Sequence, residues 1–176
     1  VQNTGAGALS LVKLGNTATT FISGITLAHK GITASEGGGS FTIASPVTAT
    51  TGLRVIEASS LALSGGITNP NLITSIEVGA GSTLSFLDGA GSLISNLTSL
   101  SLGNTGTGTV TLNLNIGDGA TDTLTLSGGT LNLGNTITFN MTDAGLSPLT
   151  TYTLLNLTSG GLNAFGLGSI IQGATP

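Results

Sequence analysis

Two neighbouring aspartates raise the question of a metal site. Asp118 and Asp122 stand in the segment "GDGATDTLT", on either side of a glycine turn. Carboxylate oxygens are ligands that calcium prefers, but a turn of this composition also uses aspartates to cap its own backbone. We favour the capped turn, and we keep calcium bound by Asp118 and Asp122 as the subordinate hypothesis.

The remaining reactive residues do not form the pattern of a catalytic site. His29 is the only histidine, and "AHKG" could place it near Glu36 and a serine, as a triad would require. Cysteine is absent, which excludes a thiolate nucleophile. Paired carboxylates would suit glycan cleavage, yet the acids are mostly isolated along the chain. We therefore expect a protein that is not an enzyme and, calcium apart, has no cofactor.

Three asparagines and two lysines could be modified. The segments "NLT" at Asn96 and Asn156 and "NMT" at Asn140 are acceptors for N-glycosylation in a suitable host. An intramolecular isopeptide bond would need Lys13 or Lys30 buried beside an acid, and desolvating a lysine is costly. We therefore disfavour the isopeptide bond.

The composition restricts the class of protein. Only 6% of the 176 residues are charged and 3% are aromatic, whereas 39% are hydrophobic. Such a chain is hydrophobic enough to fold, and its net charge of -4 is small. Three scattered cations cannot neutralise a run of phosphates, so we expect no nucleic-acid partner. Low charge with many Thr, Ser, Asn and Gly residues is typical of exported proteins, so we expect an extracellular or cell-surface location.

The chain shows no signal peptide and no apolar run of about 18 residues. We therefore expect a mature or excised, soluble chain without membrane insertion.

Short apolar alternations predict strands along nearly the whole chain. Examples are "FTI" at 41 to 43, "IEV" at 76 to 78 and "VTLNLNI" at 110 to 116, each with the period of two of a strand with one buried face. Glycine and asparagine clusters separate them, as in the three copies of "LGNT" at 14 to 17, 102 to 105 and 133 to 136.

We interpret these clusters as corners. Gly103, Asn104, Gly134 and Asn135 should lie at bends between strands, and Gly15 with Asn16 should bend in the same way. The segment "SGGT" at 127 to 130 should turn another corner, because the inward positions change parity between Leu126 and Leu131.

Two all-β architectures fit this pattern. Units of about 20 residues favour a right-handed parallel β-helix, a β-solenoid of about eight coils. An antiparallel β-sandwich is the alternative, because "DG" at 88 and 118 suits a hairpin turn. We expect one domain over 1–176, in which 61–176 is the regular repeat region and 1–60 is a less regular part that carries a cap or a loop.

The C-terminal third resembles a known family. The segment from Gly117 to Ile170, with "LTLSGGTLNLGNT" and "TTYTLLNLTSGGLNAFG", is similar to extracellular passenger segments with autotransporter-associated β-strand repeats. The resemblance covers about a third of the chain. It implies a bacterial surface protein that folds as a right-handed parallel β-helix and serves a structural or adhesive purpose.

The leading interpretation is a non-enzymatic structural protein, a stalk, matrix component or fibre subunit. The chain begins with the strand-like "LSLVKL" and ends in "GSIIQGATP" without an obvious cap, so we expect head-to-tail self-association through unpaired strand edges. The alternative is an adhesin module that binds a receptor or glycan through the segment 1–60. With Tyr152 as the single tyrosine and no tryptophan, such a module lacks the usual platforms for sugar stacking.

Overall fold

Strands form nearly all of the regular structure. The structure is a computed structural model that describes residues 10–13, 17, 19–21, 28–29, 31–34, 38–44, 46–47, 49–159 and 170–172. Within these residues the only helical element is one 3₁₀ turn at Pro70–Leu72. None of the described helical residues forms a segment long and apolar enough to cross a membrane.

In the part of the chain that the structure describes, two parallel sheets of seven strands each make up the fold, and the chain passes alternately between them. Sheet A contains, in spatial order, β1 (Ser10–Lys13), β4 (Gly31–Ala34), β7 (Gly52–Val55), β9 (Ser75–Val78), β11 (Leu93–Leu102), β13 (Thr123–Leu133) and β15 (Leu155–Ser159). Sheet B contains β2 (Thr19–Phe21), β5 (Ser40–Ile43), β8 (Ser60–Leu63), β10 (Thr83–Phe86), β12 (Val110–Ile116), β14 (Ile137–Asp143) and β16 (Ile170–Gln172). A small third sheet pairs β3 (Ala28–His29) with β6 (Ala49–Thr50).

All pairings between the described strands are parallel, so the antiparallel sandwich is wrong for this part of the chain. The "DG" pair at 88 does not close a hairpin, because it joins β10 in sheet B to β11 in sheet A. The pair at 118 likewise joins β12 to β13. Both turns therefore carry the chain from one sheet to the other.

Identical registers stack the apolar residues into continuous buried rows. In sheet A one such row consists of Ile32, Leu53, Ile76, Leu100 and Leu131. In sheet B the matching row consists of Phe41, Leu61, Leu84, Leu112 and Phe139. Except for the half-buried Phe139, these side chains are buried in one core, and each contributes about 1.5–3 kcal/mol by leaving water. The period of two read from the sequence is what places them there.

The repeat unit lengthens along the stack. Arg54 and Glu77, which are partners in β7 and β9, lie 23 positions apart in the chain, whereas Ser92 and Asp122, which immediately precede β11 and β13, lie 30 apart. The expected unit of about 20 residues is therefore close only to the first part of the stack. Most of the increase lies in the connection before β12, at 103–109 where the connection before β10 spans 79–82, and in β12 itself, which has 7 residues where β10 has 4.

The second and third copies of "LGNT" form stacked corners, as predicted. Gly103 follows β11, and Gly134 with Asn135 connects β13 to β14. The corners lie on one another: the Gly134 N–H donates to the Leu102 carbonyl at 2.8 Å, and Asn135 Nδ2 donates to the Gly103 carbonyl at 2.7 Å. The copy with Gly15 and Asn16 lies outside the described residues.

The segment "SGGT" changes the side-chain parity as predicted, but it does so inside a strand. Leu97 pairs with Leu126 and Ser99 pairs with Thr130. Between these two pairs β13 therefore has more residues than β11. Gly129, with a φ of 97°, lies in this bulge. A β-bulge rather than a turn between strands therefore returns Leu131 to the core.

Candidate functional site

The two aspartates considered for calcium contact different neighbours. Asp118 is exposed, and its Oδ1 accepts a hydrogen bond from the Tyr152 hydroxyl at 2.7 Å. Its Oδ2 accepts one from the Ser147 hydroxyl. The hydrogen bonds from Ser147 and from Tyr152 lower the pKa of Asp118 below its ordinary value. Asp118 therefore ties its corner to the loop after β14.

Asp122 is buried and contacts the preceding part of the stack. Its Oδ1 accepts from the Ser92 N–H at 2.8 Å, and its Oδ2 accepts from the Asn115 N–H at 2.6 Å. Burial raises the pKa of Asp122 to about 6, although the two backbone hydrogen bonds act in the opposite direction. Asp88 is hydrogen-bonded in the same cluster, because Asn115 Nδ2 donates to its Oδ1 at 3.1 Å.

These contacts explain both carboxylates as structural groups. The oxygens of Asp118 and Asp122 all accept hydrogen bonds from protein donors, as in the capped turn that we favour. Among the residues that the structure describes, no three His, Cys, Asp or Glu side chains converge as a metal site would require. Calcium at this corner stays a hypothesis without a contact that favours it.

The structure does not describe the side chains of several residues that the sequence analysis singled out. The backbone of His29 belongs to β3 and that of Lys13 to β1, but their side chains are not described. Glu36 and Lys30 lie outside the described residues altogether. The triad and the isopeptide bond therefore stay untested predictions.

The three sequon asparagines lie at the surface. Asn96 Nδ2 donates to the Asn71 carbonyl at 2.9 Å, and Asn140 Nδ2 donates to Asn113 Oδ1 at 2.9 Å. A glycan attached to either nitrogen would have to replace part of this hydrogen bonding. Asn156 is exposed on β15.

A polar depression on the outer face of sheet A was not anticipated from the sequence. Its volume is about 420 Å³, and it extends over β4, β7, β9 and β11. Arg54 and Glu77 are partners in the strand register, and Arg54 Nε donates to Glu77 Oε2 at 2.6 Å. The signal was present in the sequence, because "LRV" and "IEV" place opposite charges at the same position of two alternations.

Small side chains create this depression. Gly52, Ser75 and Ser99 form one outward row across sheet A, next to the row of Arg54 and Glu77. We name this depression the sheet A groove. Its polar side chains are those of Thr33, Arg54, Ser75, Glu77, Ser99, Ser101 and Asn104. The groove is therefore a consequence of short side chains on an otherwise regular sheet.

The loop at 103–109 extends the concave surface. It folds over the corner before β10, because the Ala80 N–H donates to the Thr105 carbonyl at 2.7 Å and the Gly81 N–H donates to the Thr109 carbonyl at 3.1 Å. A second depression of about 320 Å³ lies between this loop, Glu57 and the other side of Arg54. Arg54 thus separates two adjoining concavities.

Comparison of the chain with protein-family models, with curated protein sequences and with solved structures finds no match.

Proposed function

We propose that the protein is a non-enzymatic structural element, an extracellular β-solenoid that serves as a stalk, matrix component or fibre subunit. The observation that carries this proposal is the stacking of two parallel sheets, with buried apolar rows that run across successive strands. A stack of this kind resists extension and proteolysis because each inner strand is hydrogen-bonded on both sides.

The finer architecture that we propose is a right-handed parallel β-helix. Successive parallel strands of one sheet are joined by crossovers through the other sheet, and such crossovers are right-handed in nearly all proteins. Seven strands in each sheet support about seven coils, close to the eight expected, and a length of about 30 Å.

We also propose that copies associate end to end through strand edges. Among the described strands, β1 and β2 at one end and β15 and β16 at the other have a single neighbour each. A strand edge that lacks a partner pairs readily with a further strand. The two ends differ in size, because the pair Ser10 and Gly31 encloses a shorter stretch of chain than the pair Ile137 and Ile170. Head-to-tail pairing would therefore join only part of the wider end.

Light scattering over a range of protein concentrations, combined with negative-stain microscopy, tests this proposal. We expect the mean particle mass to rise with concentration and the particles to lengthen without thickening. A chain that stays monomeric at high concentration would refute the end-to-end association. Catalytic release of reducing sugars from polysaccharides, measured in parallel, would refute the non-enzymatic assignment.

A further inference from the structure

The sheet A groove has the dimensions of a ligand site. Its volume of about 420 Å³ lies within the range of small-molecule sites, roughly 300–1,000 Å³. Rigid strands form its floor, and the loop at 103–109 borders it beside Asn104. Such a combination of rigid scaffold and loop is common in binding sites.

The charges of the groove cancel. Arg54 is the one basic residue among the described residues of its lining, and its Nε lies 2.6 Å from Glu77 Oε2. An anion that Arg54 attracts is therefore repelled by the Glu77 carboxylate. A cation that Glu77 attracts is likewise repelled by Arg54. A ligand without net charge meets neither repulsion.

The lining also disfavours an apolar ligand. The described side chains that face outward are those of Thr33, the serines, the asparagine and the ion pair, and no aromatic ring belongs to the described lining. Burying apolar ligand surface against hydroxyls and charges would remove their water without replacing its hydrogen bonds. The ligand must therefore offer many donors and acceptors of its own.

The ion pair between Arg54 and Glu77 uses only part of their hydrogen-bonding capacity. Their mutual contact uses Arg54 Nε and one carboxylate oxygen, Glu77 Oε2. This contact leaves the two terminal nitrogens of Arg54 for other partners. A planar guanidinium presents those nitrogens side by side, as adjacent hydroxyls of a sugar ring require.

We propose that the sheet A groove binds an uncharged oligosaccharide through hydrogen bonds alone. The sugar chain runs along the stack, across the strands, because Ser75 and Ser99 then repeat at the strand spacing of about 4.8 Å, close to the length of one sugar unit. Arg54 and Glu77 bind adjacent hydroxyls of one unit. This proposal does not rest on the structural role, and a strictly monomeric chain would leave it intact.

The proposed binding site is not confined to the segment 1–60. The groove combines residues of β4 and β7 with residues of β9 and β11 and with Asn104. A truncation at residue 60 would therefore remove β4 and β7, and with them about half of the site. Point variants test the groove better than truncation does.

The first experiment screens the full chain against neutral oligosaccharides of glucose, galactose, mannose and N-acetylglucosamine, with matched uronate oligosaccharides beside them. We expect binding of at least one neutral series, with a Kd that does not change when salt is raised. No binding of any neutral series would overturn the proposal. Binding of uronates alone, weakened by salt, would also overturn it.

The second experiment compares two variants of matched size. Ser99→Tyr fills the groove, and Thr83→Tyr adds the same ring to the outer face of sheet B, where Thr83 is also half-buried. We expect Ser99→Tyr to weaken binding at least tenfold and Thr83→Tyr to leave it unchanged, with both folds checked by circular dichroism. Equal affinities of the two variants would overturn the proposal.

A third variant tests the charge of Glu77. Glu77→Gln retains the shape of the side chain at a partly exposed position and removes the charge balance. If the ligand is neutral, we expect Glu77→Gln to weaken the neutral series several-fold and to allow salt-dependent uronate binding. Unchanged affinities for both series would contradict the assignment of Glu77 to the site.

Discussion

The two described copies of "LGNT" have the same sequence but different backbone conformations. In the copy at 102–105 the residue with positive φ is Gly103, at 77°, whereas in the copy at 133–136 it is Asn135, at 60°. Asparagine tolerates this conformation better than most residues do. A Cβ atom on Gly103 would overlap the carbonyl oxygen of Gly134, so the close approach of the two corners requires glycine there.

This difference gives a prediction for Asn135. We expect Asn135→Ala to lower the free energy of unfolding by about 2 kcal/mol, because it removes the hydrogen bond to the Gly103 carbonyl and places alanine at positive φ. Asn135→Gly should cost about half as much, since it loses only the hydrogen bond. Urea unfolding measures both.

Asn104→Ala is the matched control for the corner. Asn104 occupies the same place in its copy, is exposed and does not have a positive φ. We expect a change within about 0.5 kcal/mol. Equal losses for Asn104→Ala and Asn135→Ala would show that the two corners are equivalent after all.

At the scale of elements, the bulge in β13 decides which residues enter the core. The extra residues between Leu126 and Thr130 restore the pairing with β11 and keep Leu131 buried. Gly128 and Gly129 have φ values of 88° and 97°, which other residues rarely adopt.

Gly129→Ala tests the bulge. Its Cβ atom would overlap the Thr98 carbonyl oxygen, so β11 and β13 would have to separate locally. We expect a loss of about 3 kcal/mol or more in the free energy of unfolding, measured by thermal and urea unfolding.

Gly119→Ala is the control for backbone conformation alone. Gly119 also has a positive φ, at 72°, but a Cβ atom there would meet no atom within 4 Å. The expected cost is the conformational one, about 1–2 kcal/mol. A larger loss for Gly119→Ala than for Gly129→Ala would contradict the close packing of the bulge.

At the scale of the whole molecule, Asp122 links stability to pH. Its pKa in the folded chain is about 6, above the ordinary value of 3.8, because the carboxyl is buried. The folded state therefore holds this proton more tightly than the unfolded state. Stability from this group is fully present below about pH 4 and is lost as the pH rises to about 6, by about 3 kcal/mol. Asp118 has a lowered pKa in the folded chain, so the stability that it contributes is lost as the pH falls.

The variant Asp122→Asn separates this contribution from the others. We expect it to flatten the fall in unfolding free energy between about pH 4 and pH 6. It should also cost about 1–2 kcal/mol at pH 4, since its amide nitrogen would face a backbone N–H. Denaturant unfolding at several pH values measures both effects. A variant with the same slope as the unmodified chain would contradict the assignment.

The sequence by itself determined the local features of this protein. The period of two in segments such as "VTLNLNI" places alternate residues on opposite faces of a strand, and the corners at Gly103 and Gly134 follow from residues that accept turn conformations. Both depend only on neighbours along the chain, which is why they could be predicted.

The repeat favoured parallel pairing, but only the tertiary structure decided which strands pair and in which register. Arg54 meets Glu77 across 23 positions of the chain, and Asp122 meets the Ser92 N–H across 30. No local pattern distinguishes a parallel from an antiparallel partner, or measures how the repeat lengthens along the stack. The groove and the buried carboxylate arise from contacts between distant segments, because their geometry depends on the register in which the strands stack.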